Sequence, residues 1–210
     1  MYTGTSKILE LVEKISKSVI ADNAIKTDQL AQWPKEGLAK LQEAGLGGLT
    51  VPLKYGGLGQ GTATLAKVCE IIGQYCASTS ICYGMHCVGS AVISSKVTDY
   101  QVENYLKPIC DGTHITSLSL SEAGSGSHFY LPETKMQRSS KSNYIINGAK
   151  SFATNGGNAD SYVVSAVTEE PDQVTGRFNC VIIKADSPGL EWGPKWAGLG
   201  MRGNSSRNLN

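Results

Sequence analysis

The sequence predicts an α+β protein: an N-terminal all-α helical bundle over residues 1–112, then an antiparallel β-barrel or sandwich over 113–210. Three observations carry this. Apolar residues recur at helical spacing through the first half. The turn signal Asp111-Gly112 is followed by a change of texture. Beyond it, closely spaced strand-like runs have no helix between them, which favours an antiparallel barrel or sandwich.

The helices follow in order. Ile8, Leu9, Leu11, Val12, Ile15, Val19 and Ile20 form an apolar stripe over 6–21, with charges opposite. Asp28 is expected to start a short turn or helix that stops before Pro34. Residues 35–44 form a helix with Leu38 and Leu41 inward and Gly45 at its C-terminal end. Thr62 or Thr64 caps a helix through Tyr75, and a second runs from about Ser80 to Ser95, the break falling at Ser78-Thr79-Ser80. No charged residue occurs from Ile71 to Ser95, yet the many Ser, Thr, Gln and His groups and the central break argue for buried bundle helices rather than a membrane span. Asp99 caps a helix that Pro108 should end.

Strands are expected at 115–121, 133–138, 143–147, 150–154, 161–167 and 177–184, separated by Gly, Pro, Asn and Ser turns. Leu118 and Leu120 alternate with Ser and Thr, the pattern of a strand with one buried face. Phe152 and Thr154 are two apart, so on a regular strand they share a face. An aromatic plate beside a hydroxyl suits a flat, polar-edged heterocycle.

Composition narrows the classes. The 210 residues are 40% hydrophobic and 18% charged, with net charge +1, so neither nucleic acid nor an anionic membrane is favoured as partner. Six cysteines form no Cys-x-x-Cys pair, and the three histidines are scattered, so no metal site is expected; free thiols point to a reducing cytoplasm. No secretory signal is visible in the charged N-terminus. Neither the dinucleotide fingerprint G-x-G-x-x-G nor the phosphate loop occurs within residues 118–157.

The motifs with chemical content are Ser121-Glu122-Ala123-Gly124-Ser125-Gly126-Ser127 and Tyr144-Ile145-Ile146-Asn147-Gly148-Ala149-Lys150-Ser151-Phe152-Ala153-Thr154-Asn155-Gly156. From composition alone these are turn-rich hairpins of any β domain. As motifs they resemble two signatures of the acyl-CoA dehydrogenases, Thr-Glu-Pro-x-Ala-Gly-Ser-Asp and Tyr-x-x-Asn-Gly-x-Lys-x-Trp-Ile-Thr-Asn-Gly. The Gly-rich stretch 46–61 and the segment Gly200-Met201-Arg202-Gly203-Asn204-Ser205-Ser206 are similar to the same family at two further places, so the likeness covers nearly the whole chain.

That resemblance implies an FAD flavoprotein that removes hydrogen from an acyl-CoA thioester. It implies cofactor contacts at Leu118, Leu120, Ser121, Gly126, Ser127, Phe152 and Thr154, and substrate contacts at His86 and Ser127. For His86 a second reading stands beside it: a core histidine with both ring nitrogens satisfied. Ala123, His128 and Phe152 depart from the usual Pro, Asp and Trp. The resemblance further implies a C-terminal helical bundle bearing the glutamate base, expected to be missing here; no catalytic residue is then expected in this chain, and its activity alone should be low. Implied partners are an electron-transferring flavoprotein, and further copies in a homo-oligomer or a polypeptide supplying the C-terminal half. The alternatives are a flavin-dependent oxidase or monooxygenase of the same superfamily, or a non-catalytic scaffold.

Overall fold

The computed structural model describes residues 4–169 and 178–210. Helix α1 (Thr5–Ile15) continues through a π-helical turn, Ser16–Ile20, into α2 (Ala21–Gln29). Ile8, Val12, Ile15 and Ile20 are its buried stripe. Asp28 starts nothing; it lies in the last turn of α2. The helix closes with Gln32 N–H on Thr27 O (3.0 Å) and Ala31 N–H on Asp28 O (3.2 Å), Ala31 taking the left-handed position at φ +46°. No glycine marks this end, which is why the sequence suggested a fresh start. Helix α3 (Lys35–Glu43) ends the same way, with Gly45 at φ +74°.

Helices α4 (Thr62–Tyr75) and α5 (Ala77–Ser95) are separated at Cys76, not at Ser78-Thr79-Ser80. Cys76 is extended, and its Sγ accepts from Thr79 N–H at 3.4 Å. The three hydroxyl residues lie in the first turn of α5. Ser80 Oγ donates to Cys69 O (2.7 Å) and draws α5 against α4. Hydroxyls that find a carbonyl partner do not break a helix. At the start of α4, Gly61 occupies the cap and neither threonine bonds the first turn. Thr98, one residue before the expected Asp99, caps α6 (Asp99–Gln101) in a reciprocal capping box with Gln101. A π-helical turn then leads to α7 (Lys107–Cys110). No described helix is long and apolar enough to cross a membrane.

The β half corrects the antiparallel expectation: its larger sheet is mixed. Strands β1 (Thr116–Ser119), β2 (Lys135–Arg138), β3 (Tyr144–Asn147), β5 (Ser161–Glu169) and β6 (Phe178–Lys184) form it in the order β1-β5-β2-β3, with β6 on β5. β5 is antiparallel to β6 but parallel to both β1 and β2. β1 meets 161–164 and β2 meets 167–169, so both occupy one edge of β5 in succession. The chain leaves that edge after β1, makes an excursion over 120–134, and returns in the same direction as β2. An interrupted strand of this kind produces parallel pairing without a crossover helix, which strand spacing alone could not distinguish from a hairpin.

A second sheet has the order β4-β8-β7, with β4 (Lys150–Ala153), β7 (Trp192–Lys195) and β8 (Arg207–Leu209). β7 and β8 were not expected: one holds Gly193 and Pro194, the other is three residues without a β-branched side chain. Both partners of β8 carry a register shift opposite it. Pro194 is tolerated because β7 is an edge strand with an irregular register.

Helix α5 packs on β1. At Gly89 an added Cβ would lie 3.1 Å from Thr116 Cγ2 and 3.3 Å from Leu118 N, so a side chain there would push the helix off the strand. This close approach sets Met85, one turn earlier on α5, beside β1.

Candidate functional site

A cleft of about 210 Å³ opens between α5, β1, the 120–134 excursion and β4. Met85, Leu118, Leu120, Phe129 and Phe152 supply its apolar walls, and Ser121 and Ser151 its hydroxyls. The face alternation of β1 is as expected. Thr116, Ser117 and Ser119 are buried, while Leu118 and Leu120 are half-buried and border the cleft. Two of the buried hydroxyls are satisfied inside, Ser117 Oγ donating to Thr154 O (2.8 Å) and Ser161 Oγ to Thr116 Oγ1 (3.0 Å), whereas Ser119 Oγ has no partner among the described residues and borders the cleft.

Ser151 N–H donates to Ser121 O at 2.7 Å, so the segment after β1 runs beside β4 in the opposite sense. Ser121 thus faces Ser151, and Ser117 faces Thr154. Phe152 and Thr154 do not share a face. β4 carries a bulge against β8, and Phe152 sits in it at φ +56°. A bulge shifts the alternation by one residue. Phe152 is therefore turned outward, 59% exposed, with its ring edge-on to Trp196 at 6.5 Å between centroids. Thr154 is only 6% exposed, its Oγ1 3.4 Å from Ser206 Oγ, and it does not border the cleft.

Of the residues expected to meet a cofactor, Leu118, Leu120, Ser121 and Phe152 come together here. Gly126 and Ser127 lie on the excursion, away from the cleft lining; Gly126 has φ +52° and open space around it, and Ser127 is exposed. Sequence reasoning missed Met85, Ser119, Phe129 and Ser151. Ser151 lies inside a quoted motif, whereas Met85 and Phe129 carry no local signal and arrive through the α5–β1 contact and the excursion.

The excursion is held at its root. Glu122, 5% exposed, accepts from Glu133 N–H, Thr134 N–H (3.1 Å), Thr134 Oγ1 (2.5 Å) and Lys150 Nζ (2.5 Å). Lys150 Nζ also donates to Ser165 Oγ at 2.8 Å. The outgoing limb, the returning limb, β4 and β5 thus meet at one buried ion pair, at the gap between β1 and β2. Burial opposes both charges. It pulls the Lys150 ammonium below the usual lysine value; at Glu122, burial is outweighed by the Lys150, Thr134 and Glu133 donors, which hold the carboxyl below the usual value.

His86, expected against the substrate, is buried with both ring nitrogens engaged by backbone. Nε2–H donates to Gly47 O (2.9 Å), and Nδ1 accepts from Thr116 N–H (3.2 Å). Burial lowers its pKa to about 4, so it is neutral at pH 7. It joins the 46–49 turn, α5 and β1, and has no polar atom free for a ligand. Asn155 acts similarly on the far side: Trp33 Nε1–H donates to its Oδ1 (2.8 Å), and its Nδ2 donates to Cys82 O (3.0 Å).

Glu122 is committed to the excursion, and Asp160 Oδ2 accepts from Ile115 N–H at 2.7 Å. Among the described residues no carboxylate borders the cleft. Among the described residues no cluster of three His, Cys, Asp or Glu could hold a metal ion. Burial raises the Cys82 and Cys87 thiols, which keeps them unreactive. The donor set, apolar and aromatic walls with hydroxyls and a peptide edge, fits a flat ring with polar edges.

Comparison with known proteins shows the family. Residues 5–113 match the model of the acyl-CoA dehydrogenase N-terminal domain, and residues 117–210 that of the middle domain. The chain is 30% identical over 203 residues to a probable acyl-CoA dehydrogenase of Bacillus subtilis, YngJ, covering 96% of this chain and 53% of that one. Butyryl-CoA dehydrogenase from Megasphaera elsdenii superposes with a TM-score of 0.86 at 26% identity, over 98% of this chain and 54% of the other. A chain from the structure of an electron transferring flavoprotein of Acidaminococcus fermentans gives 0.88 at 26% identity, over 100% and 55%. The chain spans about half the length of the curated relatives it matches.

Proposed function

Because the chain belongs to the acyl-CoA dehydrogenase family, we propose that it forms the flavin-binding wall of an enzyme that removes hydrogen from the α- and β-carbons of an acyl-CoA thioester. The observation that carries this reading is the cleft itself: Phe152 turned outward opposite Leu118 and Leu120, with Ser121 and Ser151 paired at its edge.

FAD, when bound, would supply the acceptor for the hydride. Leu118, Leu120 and Phe152 would hold its ring by apolar contact and exclude water. The Ser121 and Ser151 hydroxyls would meet the polar edge of the ring. Thr154, behind the cleft, would donate through Oγ1 once its long contact to Ser206 is given up, a bond worth about 0.5–1.5 kcal/mol. Gly126 and Ser127 would offer backbone N–H and hydroxyl donors to a diphosphate, on a loop with little side-chain bulk.

With no carboxylate beside the cleft among the described residues, the α-proton would pass to a group from elsewhere. A missing general base typically costs about 10²–10⁴ in rate. The isolated chain is therefore a binding half with little turnover. A homo-oligomer, or a partner bearing the base, and an electron-transferring flavoprotein as acceptor complete the reading.

The test is a titration of the chain with FAD, followed by flavin absorbance and fluorescence. A perturbed, saturable flavin spectrum that weakens in Phe152→Ala is the expected result. Absence of binding by the parent chain, also with a C-terminal half from a relative supplied in trans, overturns the proposal and favours a scaffold. Anaerobic bleaching of the bound flavin by acyl-CoA in that reconstituted pair is expected for a dehydrogenase.

A further inference from the structure

A second cavity, of about 430 Å³, lies where the α2–α3 connection meets the β4–β5 loop and the β7–β8 pair. It shares no residue with the cleft of Phe152. Among the described residues its lining holds three cations, Lys35, Lys195 and Arg207, and no Asp or Glu. We propose that this cavity binds a phosphoanion: a small molecule presenting one or two phosphate groups.

The charges are arranged by the fold. Lys195 and Arg207 are direct register partners in the β7–β8 pair. Like charges directly opposite one another are destabilising, and none of the described carboxylates bonds to either. A bound anion would convert that repulsion into attraction. Arg207 Nε is buried with no hydrogen-bond partner, an unmet donor on a fork suited to phosphate oxygens. A solvated basic surface would leave that atom in water.

The surroundings are rigid. Gly157, at φ +74°, has room for a Cβ, and the nearest atom to it would be Arg207 Nη1 at 4.0 Å. Its N–H is already held by Tyr162 Oη at 2.9 Å. Trp33 is fixed through its indole N–H on Asn155, and Ala31 is held in the left-handed conformation. The volume falls in the range of small-molecule pockets, roughly 300–1,000 Å³, and exceeds what one phosphate needs.

Calorimetric titration of the full 210-residue chain at low ionic strength tests this, using inorganic phosphate, pyrophosphate and ADP as separate probes. Pyrophosphate is expected to bind one per chain, with affinity falling as salt rises. Arg207→Gln should weaken it at least about tenfold, and Lys195→Gln by a smaller factor. Lys54→Gln, at an exposed lysine lying over Tyr55 away from the cavity, should leave binding unchanged. ADP binding much tighter than pyrophosphate would identify a nucleotide as the carrier; equal binding would identify the phosphates alone. If Arg207→Gln loses its fold by circular dichroism, Lys35→Gln and Lys195→Gln, both at exposed positions, decide the matter. No binding of any probe, or binding by the cavity variants equal to the parent, overturns the proposal. Either result leaves the flavin titration unaffected.

Discussion

Glu122 and Lys150 form a salt bridge at 2.5 Å with their side chains 2% and 3% exposed, and through it both limbs of the 120–134 excursion are tied to β4 and β5. The pair lies at the point where β1 gives way to β2 along β5. It therefore fixes the excursion that carries Phe129 to the cleft.

Removing one partner strands the other charge in a dry site, which costs about 3–5 kcal/mol. Lys150→Met should lose that much stability in urea unfolding. The paired replacement Glu122→Gln with Lys150→Met should lose clearly less, since no unpaired charge remains. Equal losses for single and double variants would count against the pairing.

His86 and Glu122 are among the groups that give the chain an acid-sensitive stability with a defined sign. His86 has a folded pKa of about 4 against 6.5 in the open chain, so between these values the unfolded state binds the extra proton. Stability is full above pH 6.5 and is lost as pH falls toward 4, by about 3 kcal/mol in all. The carboxyl of Glu122, held below its ordinary 4.5, adds a second loss on further acidification through its lower folded value. His86→Gln, which can still donate to Gly47 and accept from Thr116, should flatten the slope between pH 4 and 6.5. An unchanged slope in that variant would place the titrating group elsewhere.

Phe152 occupies a left-handed position that costs a bulky residue roughly 1–2 kcal/mol. Its exposed ring recovers little of this by burial. Phe152→Gly should leave thermal stability unchanged or slightly raised, while flavin affinity drops. A large loss of stability would show that the ring supports the fold rather than the cleft.

Thr154→Val removes a hydroxyl whose present partner, Ser206 Oγ, is at a long 3.4 Å. The free chain should lose less than about 1 kcal/mol. The absorption spectrum of bound flavin should shift, or its affinity fall. No change in either would remove Thr154 from the site.

Much of this protein was legible in its residues. Helical stripes such as Ile8-Val12-Ile15, the Gly45 helix end, and the two motifs that bring Ser121 and Phe152 to one place are written in short windows of chain. Local spacing determines local conformation, and a motif carries its loop chemistry with it. Tertiary structure alone decided what that chemistry faces. Alternation along β1 says that Leu118 and Leu120 share a side, but only the approach of α5 at Gly89 and the neighbouring β4 make that side a cleft and the serine side the interior. The parity of β4 is broken by a bulge set against β8, a strand nearly sixty residues downstream by its numbering. The mixed sheet, the Glu122–Lys150 tie and the opposition of Lys195 to Arg207 have the same origin. Each depends on which distant segments pair and in what register, and a shift of one residue sends a side chain to the opposite face.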